Sequence, residues 1–294
     1  MASLKEIKGR INSVRSTRKI TSAMKMIASA KLRKAQTAIT NFLPYQEKLD
    51  AILNRLLSSD TSYDSPFIAK REVKRVGIVA FSSNSSMCGG FNSNIIKEFR
   101  ATYTKYENLG KENILIYPVG KKIADAVKKL QLTAQGDYIG MADAPSYEEV
   151  QELAKDLITK FAGEEVDEIV LIYFHFKSTG SQLLMNKVYL PFEFASEDEV
   201  AEKDSGYQPD YIYEPSKKEI LDSLIPNVLY SRLFAALLDS NASEHAARVM
   251  AMQIATDNAN DLLYDLGIQY NKTRQQAVTN ELLDIIGGAS ALQG

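Results

Sequence analysis

The sequence predicts an α/β protein: a long antiparallel two-helix coiled coil drawn from both termini, plus a central α/β (Rossmann-like) domain. Three observations carry this. The stretch from Ser3 to about Leu57 reads as one helix. The stretch from Ser216 to Leu292 reads as a second, with no proline after Pro226 and only Gly267 before the Gly287-Gly288 pair to interrupt it. Between them, short apolar runs alternate with amphipathic segments, the pattern of a sheet flanked by helices.

In the first helix Leu4, Ile7, Ile11 and Val14 alternate by three and four, the seam of a coiled coil. The apolar positions then shift to Ile20, Met24 and Ile27, and later to Leu32, Ala35, Ile39 and Phe42, so a break in the heptad is expected after Val14. Pro44 should bend the helix, with Leu49, Ile52, Leu53, Leu56 and Leu57 continuing the apolar face. Small residues at Ala23, Ala28, Ser29 and Ala30 allow a neighbour to approach closely.

The central domain is expected over residues 72–200, with linkers at 59–71 and 201–215 and the coiled coil formed by 1–58 and 216–294. Val76–Phe81 reads as a buried strand, followed by a loop from Ser82 to Gly90 and a helix from Asn92 to about Tyr106. A second strand at Asn113–Tyr117 precedes a helix from about Lys121 to Leu130. Ser146 with Glu149 has the spacing of a capping box opening a helix to about Phe161. Ile169–Phe176 and Leu183–Leu190 read as a hairpin turning at Ser178-Thr179-Gly180. The result is a partly parallel sheet with one antiparallel edge. Glu197 to Pro215 is acidic and turn-rich, a loop returning to the last helix, which Ser216 and Glu219 open with a second capping-box spacing. Within that helix Ala247, Met250 and Ile254 form the expected apolar stripe.

Composition narrows the class. The 294 residues are 45% hydrophobic and 24% charged, which suits a protein with a real core. The net charge of −2 conceals an asymmetry, because from Met1 to Gln36 ten basic residues face Glu6 alone. An acid-poor N-terminus can be a transit peptide, but the helical pattern continues through Leu57, which points instead to a bacterial cytoplasmic protein. One cysteine, Cys88, excludes an internal disulfide. No uninterrupted apolar run reaches the roughly 18 residues of a membrane span, so membrane association is expected only through partners.

Catalytic chemistry is not apparent. The Ser82–Gly90 loop follows a first strand, where glycines can cradle phosphate, yet it has neither a dinucleotide fingerprint nor a Gly-Lys-Ser/Thr loop. Gly120-Lys121-Lys122 fails the same test. His175, inside an apolar strand, reads as a core or edge residue, His245 as an ordinary surface position and Cys88 as a small buried residue. One cysteine and two distant histidines supply no zinc site and no Cys–His nucleophile, and no cofactor is expected.

The lengths are informative. A helix from Ser223 to Ile286 would run on the order of 95 Å, more than a globular domain can bury. If the two helices start level near Leu57 and Ser216, the second overhangs the first by roughly 30 Å from about Lys272 onward. That overhang holds Val278, Leu282, Leu283, Ile285, Ile286 and Leu292, an apolar tip that implies an external socket. The basic face of the first helix implies acidic surfaces around it. A nucleic-acid-binding rod lacks a reading motif, and a static coiled coil leaves the tip unexplained. A shaft inserted into a larger assembly accounts for both features.

Three segments then carry a family resemblance. Ile20-Thr21-Ser22-Ala23-Met24-Lys25-Met26-Ile27-Ala28-Ser29-Ala30-Lys31-Leu32 resembles the N-terminal signature of the ATP synthase gamma subunits. Ser243–Arg248 and Ala255–Ala259 resemble their C-terminal helix, and Tyr270–Leu282 their closing signature. Cys88-Gly89-Gly90-Phe91-Asn92 is close to the family's Cys-Gly-Gly-Leu-Asn, whereas Ser82–Met87 departs from its usual Asp, Arg and Gly. The resemblance implies a non-catalytic rotor, peripheral on the cytoplasmic face of the bacterial plasma membrane. Its coiled coil would sit inside a hexamer of alpha and beta subunits and its α/β domain on the membrane ring (c-ring), beside epsilon. It also implies that Arg274 and Gln275 hydrogen-bond the beta catch loop and that Lys19 and Met24 face the moving part of beta. Leu282, Leu283, Ile285 and Ile286 would then enter the hexamer sleeve.

Overall fold

The computed structural model describes residues 3–58, 66–69, 71–192 and 213–293, except the side chains of Ser58 and 290–293. Most of the two expected linkers and of the acidic loop from Glu197 lies outside the described residues. In order the elements are α1 (Leu4–Ser58), β1 (Val76–Phe81), α2 (Phe91–Tyr106), β2 (Ile114–Val119), α3 (Lys121–Lys129), α4 (Ile139–Asp143), α5 (Tyr147–Ala162), β3 (Glu168–Ser178), β4 (Ser181–Leu190) and α6 (Lys217–Gln293). The chain divides into two units, residues 30–247 and residues 1–29 with 248–294.

In the unit of residues 30–247 the sheet runs β2-β1-β3-β4. β1 is parallel to β2 and β3, and β4 closes one edge antiparallel to β3, as the alternating pattern predicts. Pro118 sits in β2, an edge strand, where a missing N–H costs no ladder bond. Both faces of the sheet are covered. Val76, Ile78, Ala80, Ile116, Val170 and Ile172 face α2 and α3 through Ile95, Phe99, Ile123 and Val127. Val79, Phe81, Tyr117, Ile169 and Leu171 face α5, the end of α1 and the start of α6, through Leu157, Phe161, Leu53, Leu221, Ile225 and Leu229. A strand buried on both faces is apolar at every position, which is why Val76–Phe81 shows a continuous run and not alternation.

The capping signals divide. At α6 the Ser216 Oγ accepts the Glu219 N–H at 3.3 Å and bonds the Glu219 carboxylate at 3.1 Å, so the predicted box forms around the serine. At α5 it does not form, because the Ser146 hydroxyl donates to Glu148 Oε2 at 2.6 Å and makes no backbone cap.

Within this unit α6 is a core helix, buried at every position from Ser240 to Ala246. His245, read from the sequence as a surface position, is accordingly only 7% exposed. An 18-residue window of α6 reaches a mean hydropathy of 1.3, the apolarity of a bilayer span, with 44% of it buried inside the fold. Leu221, Ile225, Leu229, Leu233 and Leu237 supply that apolarity and pack into the core, which accounts for it without a membrane.

The unit of residues 1–29 with 248–294 is a pair of helices. Its seam corrects both apolar stripes read from the sequence. On α1 the covered positions are Leu4, Ile7, Ile11, Val14, Arg18, Thr21, Lys25 and Ala28, an unbroken three-four heptad. Ile20 and Ile27, expected in a shifted seam, are 59% and 60% exposed. On α6 the covered positions are Val249, Met252, Thr256, Ala259, Leu263, Leu266, Tyr270 and Thr273, while Met250 and Ile254 point outward. The stripe was misread because the helices follow the heptad even where its residues are polar.

Candidate functional site

The crevice at the carboxyl end of β1, where the chain leaves β1 to opposite sides, is where an open α/β sheet would hold a ligand. Here it is filled by the chain's own hydrogen bonds. The Ser83 N–H donates to Asn92 Oδ1 at 3.1 Å, and the Ser83 hydroxyl donates to the Ser85 carbonyl at 2.6 Å. Asn84 Nδ2 donates to the Ile139 carbonyl at 2.9 Å and to Asp143 Oδ2 at 2.7 Å. The N-terminal donors of α3, which could cradle phosphate, are taken as well: Lys121 N–H by Asn84 Oδ1 at 2.8 Å, Lys122 N–H by the Ser83 carbonyl at 3.1 Å and Ile123 N–H by Ser82 Oγ at 2.9 Å. Gly120, at φ +96, lets β2 turn into α3 against this loop, and a Cβ there would lie 2.2 Å from the Ser82 carbonyl oxygen. Cys88 is 1% exposed under the loop. The polar Ser82–Gly90 stretch is a structural turn.

The two histidines are far apart in role. His175, on the exposed side of β3, lies 2.7 Å from Asp239 Oδ2 on α6, with its side chain 47% exposed. Burial pushes the Asp239 carboxyl up, and His175 beside it pulls it back. Among the described residues no three His, Cys, Asp or Glu side chains gather as a metal set.

What remains distinctive is the paired-helix unit. The pair is held across its middle by polar contacts: Arg18 Nη1 donates to Asn260 Oδ1 at 3.2 Å, the Thr21 and Thr256 hydroxyls meet at 2.8 Å, and Lys25 Nζ donates to Gln253 Oε1. Gln253 in turn donates to Asp257 Oδ2 at 2.7 Å. These pairs fix an antiparallel register in which Thr21 is level with Thr256 and, stepping along both helices, Leu4 is level with Thr273. Beyond that level α6 continues alone for roughly 30 Å.

The predicted contact residues fall on this unit. Arg274 and Gln275 are exposed at the level where α1 begins, and among the described residues Arg274 forms no ion pair with Glu281 or Asp284. Lys19 is exposed and Met24 half-buried; they lie roughly 24 Å and roughly 31 Å along the pair from Arg274 and form no common cluster with it. From Val278 to Ala289 every residue is exposed, with Leu282, Leu283, Ile285 and Ile286 at 55%, 61%, 68% and 61%. Exposed apolar residues continue down the outer faces as Ile20, Met26, Ile27, Ile254, Tyr264 and Ile268. The sequence reading missed the polar seam, although extending the three-four spacing of Leu4–Val14 through Arg18, Thr21, Lys25 and Ala28 would have found it.

Comparison with known proteins spans nearly the whole chain. The family model described as ATP synthase matches residues 3–292. The ATP synthase gamma chain of Phocaeicola vulgatus is 59% identical over 291 residues, covering 99% of this chain and 100% of the relative. That of Flavobacterium johnsoniae is 44% identical over 295 residues, covering both chains completely. Among solved structures, a chain of the Euglena gracilis mitochondrial ATP synthase (OSCP, F1 and c-ring, rotational state 3) superposes with a TM-score of 0.64 at 20% identity, covering 98% of this chain and 94% of that one. A chain from the central stalk and c-ring of the Tetrahymena thermophila enzyme gives 0.56 at 22% identity, covering 80% of this chain and 99% of that one. At these identities the structures speak for a shared fold.

Proposed function

The chain belongs to the ATP synthase gamma-chain family, and we propose on that premise that it is the rotor of the central stalk. Rotation driven by proton flow through the membrane ring reaches the catalytic sites of the beta subunits through it, and ATP hydrolysis drives the same shaft in reverse. The observation that carries this is the apolar tip: a helix end with every residue from Val278 to Ala289 exposed has nothing among the described residues to cover it. A sleeve of alternating alpha and beta subunits gives it a socket.

The chain itself contributes no catalytic group. Its crevice is occupied by its own Ser82–Met87 loop, so ATP chemistry resides on beta and this chain supplies asymmetry. Residues 72–200 form the foot, beside epsilon on the c-ring, and the chain is peripheral on the cytoplasmic face of the plasma membrane. Arg274 and Gln275, exposed at the level where α1 begins, hydrogen-bond the beta catch loop. Lys19 and Met24 meet the lower, moving part of beta, with Lys19 contributing to a basic face that attracts acidic surfaces. Exposed ion pairs of this kind contribute about 0–1 kcal/mol each, weak enough to be exchanged as the shaft turns.

The test is co-expression with untagged alpha and beta subunits. The three should co-purify and hydrolyse ATP, while the chain alone should not. Hydrolysis by the isolated chain at the rate of the assembly would overturn the reading.

A further inference from the structure

We infer that Gly9 and Gly267 form a flexure level across the helix pair, at which the tip opens and bends as a unit against the stem. Gly9 is the one glycine of α1, and Gly267 is the one glycine of α6 before Gly287. Thr21 is level with Thr256, so Gly9, twelve residues towards the start of α1, is level with Ile268. Gly267 is one residue, about 1.5 Å, from that height. Glycine is about fivefold less favourable than alanine in a helix interior, because it gives up more backbone freedom. Nothing in the packing of the helices calls for it here. Neither residue has a positive φ, and among the described residues a Cβ on either would meet no atom within 4 Å.

The shared height is what matters. A glycine in one helix of a pair is splinted by the stiffer helix beside it, whereas two at one height leave no splint. The seam changes at the same place. On the stem side Leu266, Ala259, Met252, Thr21 and Ala28 are buried; on the tip side the seam holds Leu4, Ile7, Tyr270 and Thr273, of which only Ile7 is buried. The weak backbone and the thin seam coincide, so local opening starts there. The unit that opens is residues 3–8 with 268–289, and it carries Arg274, Gln275 and the apolar tip. The purpose of that motion rests on the rotor reading: a tip that bends stays seated in its sleeve while the stem turns.

Native-state hydrogen exchange on the full-length chain tests this, because a shared opening couples the two helices. Gly9→Ala, a change in α1, should slow exchange of the α6 amides 268–273 by about fivefold, and Gly267→Ala should slow the α1 amides 8–12 to the same extent. Confinement of each effect to its own helix would overturn the flexure level. Moving the glycines separates a shared level from general stabilisation of the pair. In the Gly9→Ala, Gly267→Ala chain, Ser16→Gly with Asp261→Gly, which are level, should carry the boundary of fast exchange from 267 to 261. Ser16→Gly with Asn271→Gly, at different heights, should not, and the same boundary in both chains would also overturn the inference. All these positions lie outside the seam, so circular dichroism should keep its helical signal. Assembled with alpha and beta, the Gly9→Ala, Gly267→Ala chain should support ATP hydrolysis severalfold more slowly. Slowed exchange with unchanged hydrolysis would leave the flexure level standing and refute its link to the rotor.

Discussion

Replacing Leu282, Leu283, Ile285 and Ile286 together by glutamine separates what the tip does for the chain from what it does for a partner. In the chain these side chains retain 55%, 61%, 68% and 61% of their exposure, so most of their apolar surface awaits cover. Complete burial of a leucine or isoleucine contributes about 1.5–3 kcal/mol; three-fifths of that is about 1–2 kcal/mol each, or about 4–7 kcal/mol for the four. Association returns only part of this, because ordering and desolvation oppose it, so the expected loss in affinity for the alpha–beta assembly is at least about tenfold. Glutamine is a good helix former, so the stability of the chain alone should stay within about 0.5 kcal/mol per site. Thermal unfolding by circular dichroism measures the second quantity, and titration of labelled chain onto alpha and beta measures the first. A loss in the isolated chain of the size of a core truncation, about 2–5 kcal/mol, would mean that the tip is covered within the chain. Unchanged affinity would mean that nothing outside covers it. Either result refutes the reasoning.

Other expectations follow from single positions. Ala28→Leu inserts bulk into a seam position that is 2% exposed and should lower stability by about 1–3 kcal/mol, whereas Ile27→Gln, 60% exposed one residue earlier, should be near neutral; equal effects in urea unfolding would contradict the seam. Gly120→Ala would set a Cβ 2.2 Å from the Ser82 carbonyl oxygen at φ +96, and should destabilise the chain by more than about 3 kcal/mol or prevent soluble expression. Tyr173 is pushed up to about 12 by burial, reinforced by the Asp239 charge and opposed by Arg232. Its folded-state value is above the unfolded one, so its contribution is complete below about pH 10 and is lost as pH rises towards 12. Tyr173→Phe should flatten the decline of stability across that window, and an unaltered slope in alkaline melts would refute the assignment.

Much of this molecule was legible in its sequence because its elements are long or uniformly buried. Val76–Phe81 is apolar at every position since both faces of β1 are covered, and the strand–helix alternation fixes a partly parallel sheet with β4 on its edge. The comparison of helix lengths located the overhang because helical rise is constant. What failed was the assumption that a seam is apolar. Ile20, Ile27, Met250 and Ile254 were assigned inward by their chemistry, yet the heptad places Thr21, Lys25 and Thr256 there and turns the isoleucines outward. His245 was misjudged similarly: a polar residue beside Glu244 looks exposed, but α6 is enclosed on all sides at that level. In both places packing overrode local polarity, and the outward isoleucines become candidate contact surface.

The central claim is that this chain turns as a shaft while other subunits do the chemistry. A bead attached through Lys177→Cys, near the exposed β3–β4 turn, in a Cys88→Ser chain assembled with surface-held alpha and beta subunits measures it directly. With ATP present the bead should rotate in one direction and stop when ATP is removed. Sustained ATP hydrolysis by the assembly with a stationary bead would contradict the account.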